Sequence, residues 1–262
     1  MPTLAQNIVE TSRGTVSFSE SGSGPVRLVL HSLLTDRNAF DRVTGPLGGR
    51  FIAMDLPGFG ATQTVRPDID DYANTVAALI ETLELDSPDL IGNGLGAFVA
   101  LGAAIHHGDL VGKLLLVGCG AGFPEPAKDA FTKMIEAVEA GGIQAVIPIA
   151  LRRIFTETYL DQHPDMAQER SDVILETDSA AFITACRALH QLDYRSAAQR
   201  VTNPTLILVG EEDQATPPQL AEELQGLIPG SSLTRLPGLA HAPQIQDPAG
   251  FVSATREFLE AG

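Results

Sequence analysis

Apolar and polar residues alternate from Asn7 to Glu20 with a break at Arg13-Gly14, and this period of two predicts a β-hairpin. Val26 to Leu30 is a short β-rich run that ends at His31 in a polar turn. Phe51 to Met54 reads as another buried strand, closed by Asp55-Leu56-Pro57-Gly58-Phe59-Gly60, where proline and glycines force a tight loop. Between Asp70 and Leu85 the apolar positions Val76, Leu79, Ile80 and Leu83 fall at helical spacing and would lay one face on a sheet. Pro88 to Ile91 then predicts a strand, Gly92 to Gly96 a sharp turn, Ala97 to His106 a helix of small residues, and Lys113 to Val117 a further strand.

Strand and helix in this rhythm call for parallel pairing with right-handed crossovers. From Gly122 to Ala198 the pattern becomes helical, with breakers at Gly141-Gly142, Pro148 and Pro164 and no strand expected. The alternation resumes with a strand over Thr205 to Val209, a helix over Pro218 to Leu227, a strand over Ser232 to Leu236 and a closing helix over Pro248 to Leu259. The expected architecture is one α/β domain: a mostly parallel core from residues 1–121 and 199–262, with residues 122–198 inserted as a helical cap.

Composition narrows the partners. A hydrophobic fraction of 44% and a charged fraction of 19% suit a globular chain of 262 residues. The formal charge of −16 repels nucleic acid and anionic membranes, and no basic patch offsets it, so neither is expected as a partner. Cys119 and Cys186 are too few for a disulfide framework and lack metal-ligand spacing, which points to a reducing cytoplasm and to no metal. Met1 to Gly14 lacks the charged and apolar regions of a signal peptide, and no run of 18 apolar residues occurs. An aromatic fraction of 5% gives no cofactor-stacking box, and no cofactor is expected.

The candidate chemistry begins at Gly92-Asn93-Gly94-Leu95-Gly96, between a strand and a helix. That is the setting of the G-x-S-x-G nucleophile elbow, whose central residue takes a strained backbone and projects its side chain upward. Here the centre is Gly94, which has no side chain to attack with and takes positive φ without penalty. The competing reading is a dinucleotide-binding loop, but the motif follows a late strand and no acidic residue ends a strand about 20 residues later.

Asp213 follows one strand and His241 the next, the chain order in which elbow-type hydrolases place their acid and histidine. The acid would hold the imidazole tautomer, freeing the other ring nitrogen to take a proton. Asp213 alone would also suit a helix-capping turn ahead of Thr216-Pro217, His241 a hydrogen-bonded loop, and Glu211 and Glu212 are alternative acids. The backbone amides of Leu33 and Leu95 are candidates for an oxyanion hole. His31, Ser32, Asn93, Arg153 and Arg187 are candidate substrate contacts, the arginines as carboxylate clamps. His106 and His107 end a helix, where capping explains them. Cys119, near a sheet edge, is a weaker nucleophile candidate, since free cysteines are mostly small buried hydrophobes.

The His31 turn, the Asp55 to Gly60 loop, the elbow, Gly210 to Pro217 and His241 together resemble the α/β-hydrolase superfamily along nearly the whole chain. Within it, His31-Ser32-Leu33-Leu34-Thr35-Asp36, Ala185 to Leu189 and Gly210 to Pro218 look most like 3-oxoadipate enol-lactonases, and the elbow like C–C bond hydrolases. The resemblance implies an eight-stranded, mostly parallel sheet with a cap, and hydrolysis of a small ester, enol lactone or related reactive carbonyl. Gly94 matches the family serine by position and not by chemistry.

Three readings follow. The chain is a Ser to Gly form of a hydrolase active with serine, or a serine-less hydrolase or lyase in which His241 activates water, or a non-catalytic small-molecule-binding module. Replacing serine by glycine is expected to leave a notch with room for about one water, roughly 30 Å3. A small molecule is the expected partner in each case, and a homodimer is the common assembly for such enzymes.

Overall fold

Residues 5–261 are described in a computed structural model. Residues 1–4 and Gly262, which the sequence reading assigns to the core, lie outside the described residues.

Eight strands form one sheet: β1 (Gln6–Thr11), β2 (Gly14–Ser23), β3 (Val26–Leu30), β4 (Gly49–Met54), β5 (Asp89–Asn93), β6 (Leu114–Val117), β7 (Thr205–Gly210) and β8 (Ser232–Leu236). Their spatial order is β1-β2-β4-β3-β5-β6-β7-β8. The hairpin β1-β2 and the pair β2-β4 are antiparallel, and every other pairing is parallel. The inner strands are near-continuous aliphatic runs because helices cover both their faces, so no alternation survives in β6 or β7. At one edge β8 keeps only Leu236 buried.

The helices are α1 (Asp41–Leu47), α2 (Ile69–Thr82), α3 (Leu95–His107), α4 (Glu125–Gly141), α5 (Ile147–Ile154), α6 (Glu157–Gln162), α7 (Pro164–Leu175), α8 (Ser179–Gln191), α9 (Pro218–Leu227), α10 (Pro243–Gln246) and α11 (Pro248–Glu260). Asp68, Asp178 and Asp247 cap α2, α8 and α11 by accepting from backbone amides of the first turn. Helix α3 is buried nearly all round, since it packs on α2 and on the centre of the sheet.

The helix after β4 ends three residues before the expected Leu85, because Glu84 takes φ 50° and the Leu85 amide returns to the Ile80 carbonyl. Helix α1 escapes a periodicity argument, being seven residues long with Gly45 and Pro46 inside it. It forms because Val43 and Leu47 are buried against the core. His106 and His107 reach across to α2, at 3.0 Å from Asp70 Oδ1 and 2.7 Å from Asn74 Oδ1, so they tie two helices together as well as ending one.

Helices α4 to α8 all lie between β6 and β7, where the sequence changes to a helical pattern. One feature there is not helical: Gly122 and Asp193 form an isolated antiparallel bridge, and the Tyr194 amide donates to the Ala121 carbonyl at 2.6 Å. The two ends of the helical segment are therefore pinned side by side.

Candidate active site

The turn from β5 into α3 needs its outer glycines for space. A Cβ on Gly92 would run into the Gly96 backbone, and one on Gly96 into the Leu30 carbonyl, so strand and helix approach at van der Waals limits. The Gly96 amide donates to the His31 carbonyl at 3.0 Å, which locks the elbow to the turn after β3. Gly94 at the centre has φ 52° and ψ −119°. Its amide donates to the Val117 carbonyl at 2.9 Å.

Asp213 and His241 come from the loops after β7 and β8 and meet beside this elbow. Asp213 Oδ2 lies 2.8 Å from His241 Nδ1, and both residues are buried. The other carboxylate oxygen accepts from the amides of Ala215 and Thr216 at 2.8 and 2.9 Å, and Thr216 Oγ1 donates to Oδ2 at 2.7 Å. With Nδ1 protonated toward the carboxylate, Nε2 is left as the acceptor, and it points at Gly94. Glu211 and Glu212, the alternative acids, are exposed.

The expected water-sized notch above Gly94 is closed. An ideal Cβ built on Gly94 would lie 2.5 Å from His241 Nε2 and 2.5 Å from Ser32 Oγ. The imidazole and the Ser32 hydroxyl occupy that space and stand 3.3 Å from each other. Packing achieves this: a glycine yields volume, and neighbouring groups take it up where they can.

Ser32, Leu33, Gly94, Leu95, Thr216 and His241 line a cavity of about 40 Å3. Phe98, Phe123, Phe131, Met134 and Leu189 supply its apolar lining, with Phe123 packed edge-on to Phe131 at 4.9 Å. The amides of Leu33 and Leu95 donate to no protein acceptor among the described residues. Arg153 of α5 also lines this cavity. Among the described residues its one polar contact is the Ala215 carbonyl at 3.4 Å and no acid lies in ion-pair reach, and burial lowers its pKa although Asp213 opposes the shift.

The other candidate contacts stand elsewhere. The His31 ring is turned away from the cavity: Nδ1 donates to the Ser32 carbonyl at 2.8 Å, Nε2 accepts from the Leu56 amide at 3.1 Å, and burial lowers its pKa. Asn93 lies beneath the site, donating to the His241 carbonyl at 2.8 Å and accepting from Gln244 at 3.0 Å. Arg187 is on the surface beside Glu139 at 3.5 Å. Cys119 is fully buried, and burial raises its pKa, so it offers no thiolate. Burial pushes Cys186 up to about 12.

Residues that sequence reasoning passed over complete the site. Thr216 appears there only as part of a turn, and Gly118 and Gln244 not at all. A Cβ on Gly118 would lie 2.8 Å from His241 Nδ1, so this glycine gives the imidazole its place. No sequence signal marks Gly118, because its role depends on a loop more than 100 residues away closing over it. Among the described residues no group of three or more His, Cys, Asp and Glu could hold a metal, and no helix is long and apolar enough to cross a membrane.

A parallel sheet with a glycine elbow after its fifth strand, and a paired acid and histidine after the last two, defines a hydrolase-type scaffold. The chain belongs to the alpha/beta hydrolase family, whose model matches residues 28–254. It is 29% identical over 249 residues to the pimeloyl-[acyl-carrier protein] methyl ester esterase of Neisseria meningitidis, covering 89% of this chain and 92% of that protein. Among solved structures it is similar to the enol-lactonase from Burkholderia xenovorans LB400, with a TM-score of 0.91 at 22% identity over 97% of this chain and 100% of that one. It is similar also to E-2-(acetamidomethylene)succinate hydrolase, with a TM-score of 0.82 at 25% identity over 99% of this chain and 100% of that one.

Proposed function

We propose that the protein hydrolyses a small ester or lactone that carries a carboxylate, with His241 as general base, Asp213 as its orienting acid and the amides of Leu33 and Leu95 as oxyanion donors. The observation that carries this reading is the 2.8 Å contact between Asp213 Oδ2 and His241 Nδ1 beside two unused amides. Nε2 takes a proton from the attacking hydroxyl as it adds to the carbonyl, and returns it to the leaving alcohol. Charge on the carbonyl oxygen grows toward the two amides, which lie in a largely apolar cavity where such donors act strongly. Helices α4 to α8 serve as a cap that adds Phe131, Met134, Arg153 and Leu189 to the cavity lining.

The carboxylate follows from Arg153. A guanidinium partly removed from water with no acid in ion-pair reach is costly even with Asp213 nearby, and a ligand carboxylate would satisfy it bidentately. The succinate hydrolase among the similar structures is named for a dicarboxylate, and the Neisseria esterase for a methyl ester. The substrate is a small molecule, no bound cofactor enters the steps, and the cysteines suit a cytoplasmic location.

The test is a panel of p-nitrophenyl esters, methyl esters and lactones, each with and without a terminal carboxylate, assayed with the wild type and His241→Gln. Turnover by the wild type that is lost in His241→Gln is expected. Equal rates in the two, or no turnover of any member, would leave a binding module as the better account.

A further inference from the structure

His241 Nε2 is the only proton acceptor the proposed mechanism offers, and within the described residues one hydroxyl stands in hydrogen-bond reach of it: Ser32 Oγ at 3.3 Å. The same oxygen lies 2.5 Å from the point where a Cβ of residue 94 would be, so it sits in the region an elbow serine would fill. We propose that Ser32, on the turn after β3, is the nucleophile of this protein, replacing the elbow serine with a hydroxyl delivered from the opposite side of the cavity floor.

The backbone of Ser32 is held for that task. Its amide donates to Thr35 Oγ1 at 3.0 Å, and its carbonyl accepts from His31 Nδ1 at 2.8 Å and from the Thr35 amide at 3.2 Å. The side chain is the one free torsion, and the residue is 3% exposed and lines the cavity. The donors also survive the exchange. An elbow nucleophile uses the amide of the next residue plus one from the turn after β3. A Ser32 nucleophile uses the amide of its own next residue, Leu33, plus that of Leu95 at the elbow, which is the same pair with the roles reversed. Gly94 is then required to be small, because any Cβ there would lie 2.5 Å from the Ser32 hydroxyl and crowd it.

The inference rests on the hydrolase reading and supplies its attacking group. Ser32 Oγ bonds to the acyl carbon while its proton passes to His241 Nε2. The carbon–oxygen bond to the leaving group then breaks, and the alcohol departs with that proton. Water, deprotonated by His241, attacks the Ser32 ester and releases the carboxylic acid and the free hydroxyl.

Incubation of the full chain with a fluorophosphonate probe, followed by peptide mass spectrometry, tests this directly. Attack by serine forms an oxygen–phosphorus bond and expels fluoride, which marks the nucleophile. The expected result is a single adduct on Ser32, absent in Ser32→Ala and in His241→Gln. In parallel, Ser32→Ala should lower p-nitrophenyl ester turnover by roughly 100-fold or more. A wild type that turns over ester while no adduct forms at Ser32, with Ser32→Ala equally active, overturns the inference and leaves the hydrolase reading standing with water as the attacking group. An adduct on Ser32 without ester turnover upholds the nucleophile and overturns the hydrolase reading. Neither adduct nor turnover overturns both.

Discussion

Thr216 grips Asp213 twice, its hydroxyl donating to Oδ2 at 2.7 Å and its amide to Oδ1 at 2.9 Å. The hydroxyl stands 3.2 Å from His241 Nδ1 as well, so it helps to set where the carboxylate meets the imidazole. In Thr216→Val the buried carboxylate loses a donor, a change of about 1.5–3 kcal/mol for a hydrogen bond to a charged group. The lowered thermal midpoint will be accompanied by a fall in kcat for the ester with little change in KM, since the carboxylate then orients the imidazole less firmly. An unchanged kcat beside the lowered midpoint would reduce Thr216 to a merely structural part.

Substitutions at Gly94 separate space from chemistry. Gly94→Ala puts a methyl group 2.5 Å from both His241 Nε2 and Ser32 Oγ at a φ of 52°. It should cost about 1–3 kcal/mol of stability in urea titrations and lower ester turnover. Gly94→Ser carries the same strain but brings its own hydroxyl to Nε2. With that variant a fluorophosphonate adduct should appear on residue 94 in place of residue 32.

Arg153→Met removes the guanidinium while keeping much of the volume. KM for a carboxylate-bearing ester should rise by roughly 10- to 100-fold, in line with about 1.5–3 kcal/mol for a charge-assisted hydrogen bond. KM for the matching neutral ester should change little. Equal losses for the two esters would remove the carboxylate from the proposed substrate.

His31 gives a pH dependence of stability. Burial lowers its folded-state pKa below the ordinary 6.5, so below pH 6.5 the unfolded chain binds a proton that the folded chain refuses. Its contribution is therefore complete above pH 6.5 and is lost as pH falls toward the depressed folded value. Urea midpoints of the wild type will drop over that window more steeply than those of His31→Gln, and parallel curves would contradict the assignment.

The sheet and its order of strands and helices were legible because buried parallel strands read as aliphatic runs and glycines mark the tight crossings. Asp213 and His241 were legible from chain order. The closed notch was not. Sequence places Gly94 and His241 at their stations but says nothing of how closely a neighbouring ring and hydroxyl pack over a residue without a side chain. Arginines illustrate the same limit: Arg153 and Arg187 both suggest a clamp, and only helix rotation sends one to the cavity and the other to solvent. His31 and Asn93 sit beside the chemistry in sequence, yet His31 spends its polar groups on backbone and Asn93 on backbone and Gln244.

The bridge between Gly122 and Asp193 means that the chain leaves and re-enters the sheet through one doorway. The helices between those two residues also touch the loops beneath them, since the Ala242 amide donates to the Ile154 carbonyl at 3.3 Å and Arg153 to the Ala215 carbonyl at 3.4 Å. Any exchange of those helices must therefore replace these two contacts, or the loops that carry His241 and Asp213 lose part of their support.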